Sequence, residues 1–354
     1  MFQKILIINT FGIGDVLFST PVISNIKRAF PQTVVHYLTN PRSSAVIKDN
    51  PKISKTLIYE RDDFHKVYKR SPLEFIKKWV AFFNEIKAEK YDAVLDLSLD
   101  RGMGAMCMVA GIKQRIGFNY KNRGLCLTRR IPFKGYEGKH VVDHYLSLLE
   151  DIGIPAIDKH LELVIPEADL QWAKDWQFGE ALAFSKLLIA VFPGGGASWG
   201  KGARFKRWPV EKYVKLVDKM IEKFDAHIIL MGNSEERELC NQISRVSPSG
   251  TRVVAGDLSL TQSAALLKQC RIAILNDGGP LHVAVASRVT TVSIFGPVDD
   301  RVYGPYPATG HYVVKKGLAC QPCYRQFRMA NCSHVNCLAQ LDVDDVLRKV
   351  EEVL

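Results

Sequence analysis

Short apolar runs, each followed by a polar or glycine-rich loop and then an amphipathic segment, recur along the chain. Such alternation predicts buried parallel strands joined by helices. The first series of predicted strands is Lys4–Asn9, Val34–Leu38, Thr56–Tyr59, Ala93–Leu97 and Arg115–Phe118, with helices through about Phe30 and over Pro72–Lys90 and His140–Ile152. The second series is Lys186–Phe192, His227–Met231, Arg252–Ala255, Ile272–Leu275 and Thr291–Phe295, with helices over Val210–Phe224, Glu235–Val246 and Ser259–Gln269. The pattern predicts an α/β protein with two Rossmann-like domains in tandem.

The length of 354 residues fits two domains of ordinary size. We expect an N-terminal domain over residues 1–170 and a C-terminal domain over 171–340, joined around 167–185. The final segment, 341–354, is expected to form a helix that packs back on the N-terminal domain. Ligands of open parallel sheets bind beyond the carboxyl ends of the strands, so two such domains facing one another would share a central cleft.

The composition of the chain limits the kinds of molecule that the protein is expected to bind and the compartment in which it is expected to work. The longest apolar runs, such as Leu187–Phe192, are too short to span a bilayer, and no cleavage site follows Ile5–Ile8. We therefore expect a cytoplasmic protein. A net charge of +11 favours anionic partners. Nucleic acid is not expected, because the basic residues are spread through the α/β pattern without a recognisable binding module.

The stretch Asn276-Asp277-Gly278-Gly279-Pro280-Leu281-His282 links a predicted strand to an alanine-rich helix. Backbone N–H groups at such a helix start suit a phosphate. Asp277 and His282 stand on the same turn, where they could contact a sugar or phosphate. An ordinary strand-to-helix loop remains the alternative.

The first loop, Gly12-Ile13-Gly14-Asp15, differs from known cofactor motifs. Leu17 stands where a dinucleotide fingerprint needs a third glycine, no acidic residue ends the second predicted strand, and no P-loop occurs. NAD, FAD and P-loop nucleotide sites are therefore disfavoured. The two glycines let another molecule approach Asp15, whose other interpretation is a helix cap.

The loop from Pro193 to Pro209 is rich in glycine and carries four cations: Lys201, Arg204, Lys206 and Arg207. Its backbone, with Gly194 and the Ser198 hydroxyl, could bind a diphosphate without a metal. A solvated basic loop is the alternative. Glu236, after the strand that ends at Met231, could accept hydrogen bonds from ribose hydroxyls or could simply start a helix.

These motifs, in this order, resemble glycosyltransferase family 9, the bacterial lipopolysaccharide heptosyltransferases. The resemblance covers nearly the whole chain. It rests on the opening Lys-Ile-Leu-Ile-Ile with Gly14-Asp15 and Pro21, on Pro193-Gly194 leading to Lys206-Arg207-Trp208-Pro209, on Met231-Gly232 with Glu236, on Asn276 to His282, and on Phe295-Gly296-Pro297. It implies a GT-B fold and an inverting, metal-independent enzyme that transfers heptose from ADP-heptose to the inner core of lipopolysaccharide, with no cofactor.

The resemblance also implies roles for individual residues. Asp15 matches the general base that activates the acceptor hydroxyl. The expected donor-binding residues are Gly194, Ser198, Lys206 and Arg207 for the diphosphate, Glu236 near the ribose, and Asp277, Gly278, Gly279 and His282 in the sugar and phosphate loop. Gly14, Arg101 and Arg123 are expected to bind the acceptor, an anionic lipid-linked glycan.

Two features of the C-terminal region bear on metals. Asp342-Val343-Asp344 matches an Asp-x-Asp motif but opens the last predicted helix, where Asp342 is a natural N-cap. Cys320, Cys323, Cys332 and Cys337 have the spacing of a structural zinc site. Reduced thiols that pack an irregular tail, and disulfides, which are disfavoured in a cytoplasmic protein, are the alternatives.

Two other classes of function stay open. One is a GT-B glycosyltransferase that uses another nucleotide sugar for a different surface glycan, and the other is a non-catalytic nucleotide-sugar-binding protein. The helix at 72–90 carries cations and aromatic residues, including Lys77, Lys78 and Trp79. It is either a solvated helix with its aromatics in the core or a peripheral contact with the cytoplasmic face of the inner membrane.

Overall fold

The chain contains two compact units, each built around one six-stranded parallel sheet. A computed structural model describes residues 2–179, 187–196 and 200–354. The N-terminal domain comprises Met1–Tyr136 with Val141–Lys159, and the C-terminal domain comprises Glu137–His140 with His160–Leu354. The predicted α/β class with two Rossmann-like domains is confirmed.

The N-terminal sheet has the strand order β3-β2-β1-β4-β5-β6, with all neighbours parallel. Its elements are β1 (Lys4–Ile8), α1 (Ile13–Phe18), α2 (Thr20–Ala29), β2 (Val34–Thr39), α3 (Pro41–Ser44), β3 (Lys55–Ile58), α4 (Arg61–Arg70), α5 (Pro72–Ala88), β4 (Ala93–Asp96), α6 (Arg101–Val109), β5 (Gln114–Tyr120), β6 (Arg129–Phe133) and α7 (Val141–Asp151). Strand β1 is apolar on both faces because helices cover both sides of the sheet. The strand order reverses between β1 and β4, which is where α/β sheets bind ligands.

The C-terminal sheet repeats this plan in the order β12-β11-β10-β7-β8-β9, again with parallel neighbours. Its elements are α8 (Glu167–Gly179), β7 (Leu188–Phe192), α9 (Val210–Phe224), β8 (His227–Leu230), α10 (Arg237–Ser244), β9 (Thr251–Val253), α11 (Leu260–Leu267), β10 (Ile272–Asn276), α12 (Gly279–Ala286), β11 (Thr290–Ile294), α13 (Asp300–Tyr303), β12 (His311–Val314), the hairpin strands β13 (Tyr324–Arg325) and β14 (Arg328–Met329), α14 (Asn336–Ala339) and α15 (Val343–Val353). The order reverses between β10 and β7, so the loops that follow these strands start side by side.

The predicted strands are present, although Lys186, the expected first residue of one of them, lies outside the described residues. Two edge strands, β6 and β12, were not predicted. The single helix expected through about Phe30 is in fact two helices, α1 and α2, which meet at Ser19. The Ser19 hydroxyl bonds the Val16 carbonyl and the Tyr37 hydroxyl, which fixes that break in the core.

The domain boundary lies earlier in the chain than expected. The N-terminal unit ends at Lys159, whereas the sequence suggested residue 170. The reason is α8, which packs on α11 of the C-terminal domain and buries Ala173 there. Residues 160–179 are therefore part of the second domain and not a linker.

The C-terminal helix has an apolar face within its own domain. Helix α15 packs against α9, β11 and β12 of the C-terminal domain. Its expected packing on the N-terminal domain stays a prediction. Its Val346, Leu347 and Val350 join that domain's apolar core, and the Trp208 indole N–H donates to the Leu341 carbonyl just before it. Asp342 occupies the N-cap position of α15, as the sequence predicted. No helix among the described residues is long and apolar enough to cross a membrane.

Candidate functional site

Three neighbouring strands of the C-terminal sheet, β10, β7 and β8, carry most of the predicted site residues in the loops that follow them. Gly194 follows β7, and Lys206 and Arg207 close the same loop. Glu236 follows β8, and the start of α12 follows β10. Since the strands are parallel and adjacent, these loops begin about 5 Å apart along one edge of the sheet. Ser198 lies outside the described residues.

Asn276, the last residue of β10, holds both ends of the glycine-rich loop. Its side-chain amide donates to the carbonyls of Pro193 and Gly194, at 2.9 and 2.8 Å. Its side-chain oxygen accepts the backbone N–H of Trp208 at 3.1 Å. Asn276 is buried, and buried amide hydrogen bonds of this kind are costly to break. A single side chain thus fixes where the loop leaves the sheet and where it returns.

Glu236 supports the same loop from the β8 side. One carboxylate oxygen accepts the Gly196 N–H at 3.0 Å and the other accepts the Asn233 N–H at 3.1 Å. The Asn233 side chain accepts the Glu236 N–H in return, which completes a capping box. Glu236 therefore acts as an acid at a helix start, which was one of the two interpretations of its sequence position. A role for its carboxylate near a ribose stays a prediction.

Gly194 must be a glycine because of this carboxylate. A Cβ at residue 194 would lie 1.9 Å from a carboxylate oxygen of Glu236, well inside van der Waals contact. At Gly195 the nearest atoms to a Cβ would be 3.5 Å away, which is ordinary contact. A side chain at residue 194 would collide with Glu236, whereas one at residue 195 would not, so the two glycines have different roles.

Lys206 and Asp277 form a buried ion pair, with 2.8 Å between the ammonium nitrogen and a carboxylate oxygen. Both side chains are more than nine-tenths buried. Close by, a guanidinium nitrogen of Arg207 lies 3.6 Å from the Glu236 carboxylate. The four formal charges cancel, so the site is close to neutral while it holds two cations in fixed positions.

Helix α12 begins beside this pair. Gly278 is its N-cap residue, and a Cβ there would lie 2.7 Å from the Gly195 carbonyl oxygen. Glycine therefore allows the start of α12 and the β7 loop to pack closely. Pro280 has no N–H and the Leu281 N–H donates to the Gly278 carbonyl at 3.1 Å, so the N–H groups of Gly278 and Gly279 are the ones at this helix start without a partner within the helix. Such a helix start suits an anion.

His282, on α12, is buried, and its pKa is lowered well below the ordinary value. Burial is the main cause, and His140 and Lys206 lower the pKa further. The imidazole is therefore neutral near pH 7 and can donate or accept a hydrogen bond without changing the charge of the site. His140 stacks on Tyr306, with ring centroids 4.4 Å apart, and its Nε2 donates to the Gly304 carbonyl.

In the N-terminal domain, Gly14 and Asp15 lie in the first turn of α1. The N-cap residue is Gly12, so Asp15 does not cap the helix. The Asn9 side chain donates to the Asp15 carbonyl at 3.0 Å, which ties α1 to the end of β1. The Asp15 carboxylate is half-buried and raises the pKa values of the buried tyrosines Tyr37, Tyr136 and Tyr145, for which burial is the larger cause.

Arg101 and Arg123 are exposed and follow β4 and β5. Because β1, β4 and β5 are neighbours, the loops with Asp15, Arg101 and Arg123 leave the same edge of the sheet. Asp96, which ends β4, was not predicted as a site residue. Burial raises its pKa to about 6, although Ser98 donates to it from both its backbone and its hydroxyl.

The cysteines of the C-terminal region are free thiols. Cys320 and Cys323 precede the β13–β14 hairpin, Cys332 follows it, and Cys337 lies on α14. In the described part of the chain, no group of three or more His, Cys, Asp or Glu side chains is arranged to hold a metal ion.

The sequence analysis did not predict two residues, Asn276 and His140, as members of the site. Asn276 had a signal, since it directly precedes Asp277 at a strand end. His140 had none, because it is far from His282 in sequence and only the fold brings the two imidazoles near each other.

Two parallel-sheet domains with glycine-rich loops at the carboxyl ends of their strands define an α/β class that serves many functions, and comparison with known proteins identifies the family. Residues 79–334 match the model of Glycosyltransferase family 9 (heptosyltransferase). The chain belongs to this family and is a glycosyltransferase. Its relatives include lipopolysaccharide heptosyltransferase 3 of Escherichia coli K12, 24% identical over 83% of this chain and 82% of that protein. Lipooligosaccharide heptosyltransferase 2 of Campylobacter jejuni is 25% identical over 99% of this chain and 98% of its own.

Solved structures show the same fold over the whole chain. A family 9 glycosyl transferase from Veillonella parvula has a TM-score of 0.80 at 20% identity, covering 99% of this chain and 97% of its own. E. coli heptosyltransferase WaaC, solved with ADP, has a TM-score of 0.75 at 18% identity, covering 99% and 100%. WaaC has also been solved with ADP-2-deoxy-2-fluoro heptose. The expected GT-B fold class is confirmed.

The different surroundings of Gly194 and Gly195 generate a matched pair of variants. Gly194→Ala should lower the free energy of unfolding by about 1–3 kcal/mol, because its methyl group must displace the Glu236 carboxylate. Gly195→Ala should change it by less than about 1 kcal/mol. Urea denaturation of both variants measures the difference. Equal stability of the two would mean that Glu236 does not constrain the loop.

Proposed function

We propose that the protein transfers heptose from ADP-heptose to the inner core of lipopolysaccharide, in a single displacement that inverts the anomeric carbon and needs no metal. The observation that carries the proposal is the Lys206–Asp277 ion pair beside the start of α12. It places a fixed cation next to the start of α12, where the backbone N–H groups of Gly278 and Gly279 have no partner within the helix, which is an arrangement that suits a diphosphate. The kinship with heptosyltransferases and the ADP bound in WaaC support the choice of donor.

In this proposal Lys206 binds the donor diphosphate. Asp277 holds the ammonium in place before the donor arrives, so little side-chain entropy is lost on binding. Arg207, near Glu236, provides a second cation, and the backbone of Gly194, Gly278 and Gly279 lets the phosphates come close. Glu236 accepts a ribose hydroxyl, and neutral His282 hydrogen-bonds the sugar or a phosphate oxygen. Ser198 contributes a hydroxyl to the same phosphates.

The reaction itself needs one proton transfer. Asp15 accepts the proton of the acceptor hydroxyl as that oxygen attacks the anomeric carbon of heptose. The bond between this carbon and the diphosphate oxygen breaks, and ADP leaves with its new negative charge stabilised by Lys206 and the N–H groups of Gly278 and Gly279. A fixed cation and backbone dipoles thus take the part that a metal ion plays in other glycosyltransferases. Gly14 gives the acceptor access to Asp15, and Arg101 and Arg123 bind anionic groups of a lipid-linked glycan on the cytoplasmic side.

The donor is tested with a panel of nucleotides. ADP and ADP-heptose should raise the melting temperature, because a ligand that binds only the folded state stabilises it by about 2.7 kcal/mol at a hundredfold excess over its dissociation constant. UDP, GDP and their sugars should have a smaller effect, and heptose transfer should continue in the presence of EDTA. Stabilisation by UDP or GDP alone would indicate a glycosyltransferase with another donor.

The role of Asp15 is tested by an isosteric change. Asp15→Asn should lower turnover about 10²–10⁴-fold, the usual contribution of a general base, while the dissociation constant for ADP stays the same. Steady-state transfer assays and calorimetric titration with ADP measure the two quantities. The control is Asp151→Asn, which changes an exposed carboxylate at the end of α7 and should retain full activity.

Full activity of Asp15→Asn would remove Asp15 from the mechanism. A protein that binds ADP-heptose in the wild-type form but transfers nothing to any glycan acceptor would instead be a binding protein.

A further inference from the structure

Helices α4 and α5 form a helical hairpin in the N-terminal domain, joined by Ser71. Its inner face packs on the sheet through Phe64, Phe82 and Ile86, all of which belong to the apolar core. The ring centroids of Phe64 and Phe82 are 5.9 Å apart. This packing buries one apolar face of α5 and holds the hairpin against the domain.

A second apolar face of α5 points away from the core. Leu73, Ile76 and Val80 are 63%, 55% and 43% exposed. Their spacing of three and four residues places them in one row along the helix. Trp79, which is also exposed, stacks on Phe83 with ring centroids 5.5 Å apart and lies beside this row. An apolar row on the outside of a soluble domain marks a surface that meets an apolar partner.

The hairpin that carries this row is basic. The two helices contain seven Lys and Arg residues and four Asp and Glu residues, a net charge of +3. Lys66, Lys69 and Lys77 are at least partly exposed and have no ion-pair partner among the described residues. The partner must therefore combine apolar character with negative charge.

We propose that the outer face of the α4–α5 hairpin docks on an anionic lipid bilayer. Leu73, Ile76 and Val80 enter the boundary between headgroups and acyl chains, as in interfacial amphipathic helices. Trp79 and the exposed Tyr68 lie at headgroup level, where amphipathic rings are enriched. Lys66, Lys69 and Lys77 contact the lipid phosphates. The sequence alone left a solvated helix with core aromatics as the alternative, and it did not single out this exposed row.

Co-sedimentation with vesicles tests the proposal on the full chain, with no glycan acceptor present. The outcome is therefore independent of the sugar that the enzyme transfers. The protein should bind vesicles that contain phosphatidylglycerol, and should bind pure phosphatidylcholine vesicles much less. Binding should fall at high ionic strength, because salt screens exposed charges.

Two pairs of variants assign the surface. Lys69→Glu with Lys77→Glu should lower partitioning into anionic vesicles about 30-fold or more, since each basic residue near such a surface contributes about fivefold, or about 1 kcal/mol. Ile76→Ser with Val80→Ser should lower it at both low and high salt. The controls are Lys215→Glu on α9 and Ile157→Ser, both at exposed positions outside the hairpin, and they should bind like the wild type.

Equal binding to neutral and anionic vesicles would overturn the proposal, as would unchanged binding of the hairpin variants with a native circular dichroism spectrum. A concentration-dependent dimer in sedimentation velocity that the Ile76 and Val80 changes abolish, without vesicle binding by the wild type, would assign the face to a second copy of the chain instead.

Discussion

The end of strand β10 determines the arrangement of the C-terminal domain's loops. Asn276 bonds both ends of the loop after β7, and Asp277 pairs with Lys206 of the same loop. The pair is buried, so neither charge can return to water while the domain is folded. Removing one partner of such a pair costs about 3–5 kcal/mol, because the other charge stays buried without compensation. The geometry of the cations is therefore fixed by the fold itself.

The balance of positive and negative side chains explains how the charged residues of this site can be held together without a bound ligand. Lys206 and Arg207 are matched by Asp277 and Glu236, so burial of the cluster does not require an external anion. In the proposed function, the donor diphosphate contacts preformed donors: two cations, neutral His282 and the N–H groups of Gly278 and Gly279. Because Lys206 keeps its carboxylate partner, the proposed binding of the phosphates also relies on the backbone dipoles at the helix start.

The sequence predicted the central strands well, because a strand such as β1 is buried on both faces and reads as a continuous apolar run. It missed the edge strands β6 and β12, which are partly exposed and, in β6, interrupted by Pro132. It did not predict that α15 packs on α9, β11 and β12, since an amphipathic pattern shows that a helix has a partner but not which one. The donor loops were predictable as motifs, whereas the Lys206–Asp277 pairing and the approach of His140 to His282 depend on tertiary packing.

Calorimetric titration with ADP measures whether Lys206 binds the diphosphate of the donor. Lys206→Met should bind ADP about 10–150-fold more weakly than the wild type, since a hydrogen bond to a charged group contributes about 1.5–3 kcal/mol. Lys219→Met, which removes an exposed lysine of α9 paired with Asp344, should bind ADP like the wild type. Wild-type affinity for ADP in a folded Lys206→Met variant would mean that Lys206 does not bind the diphosphate.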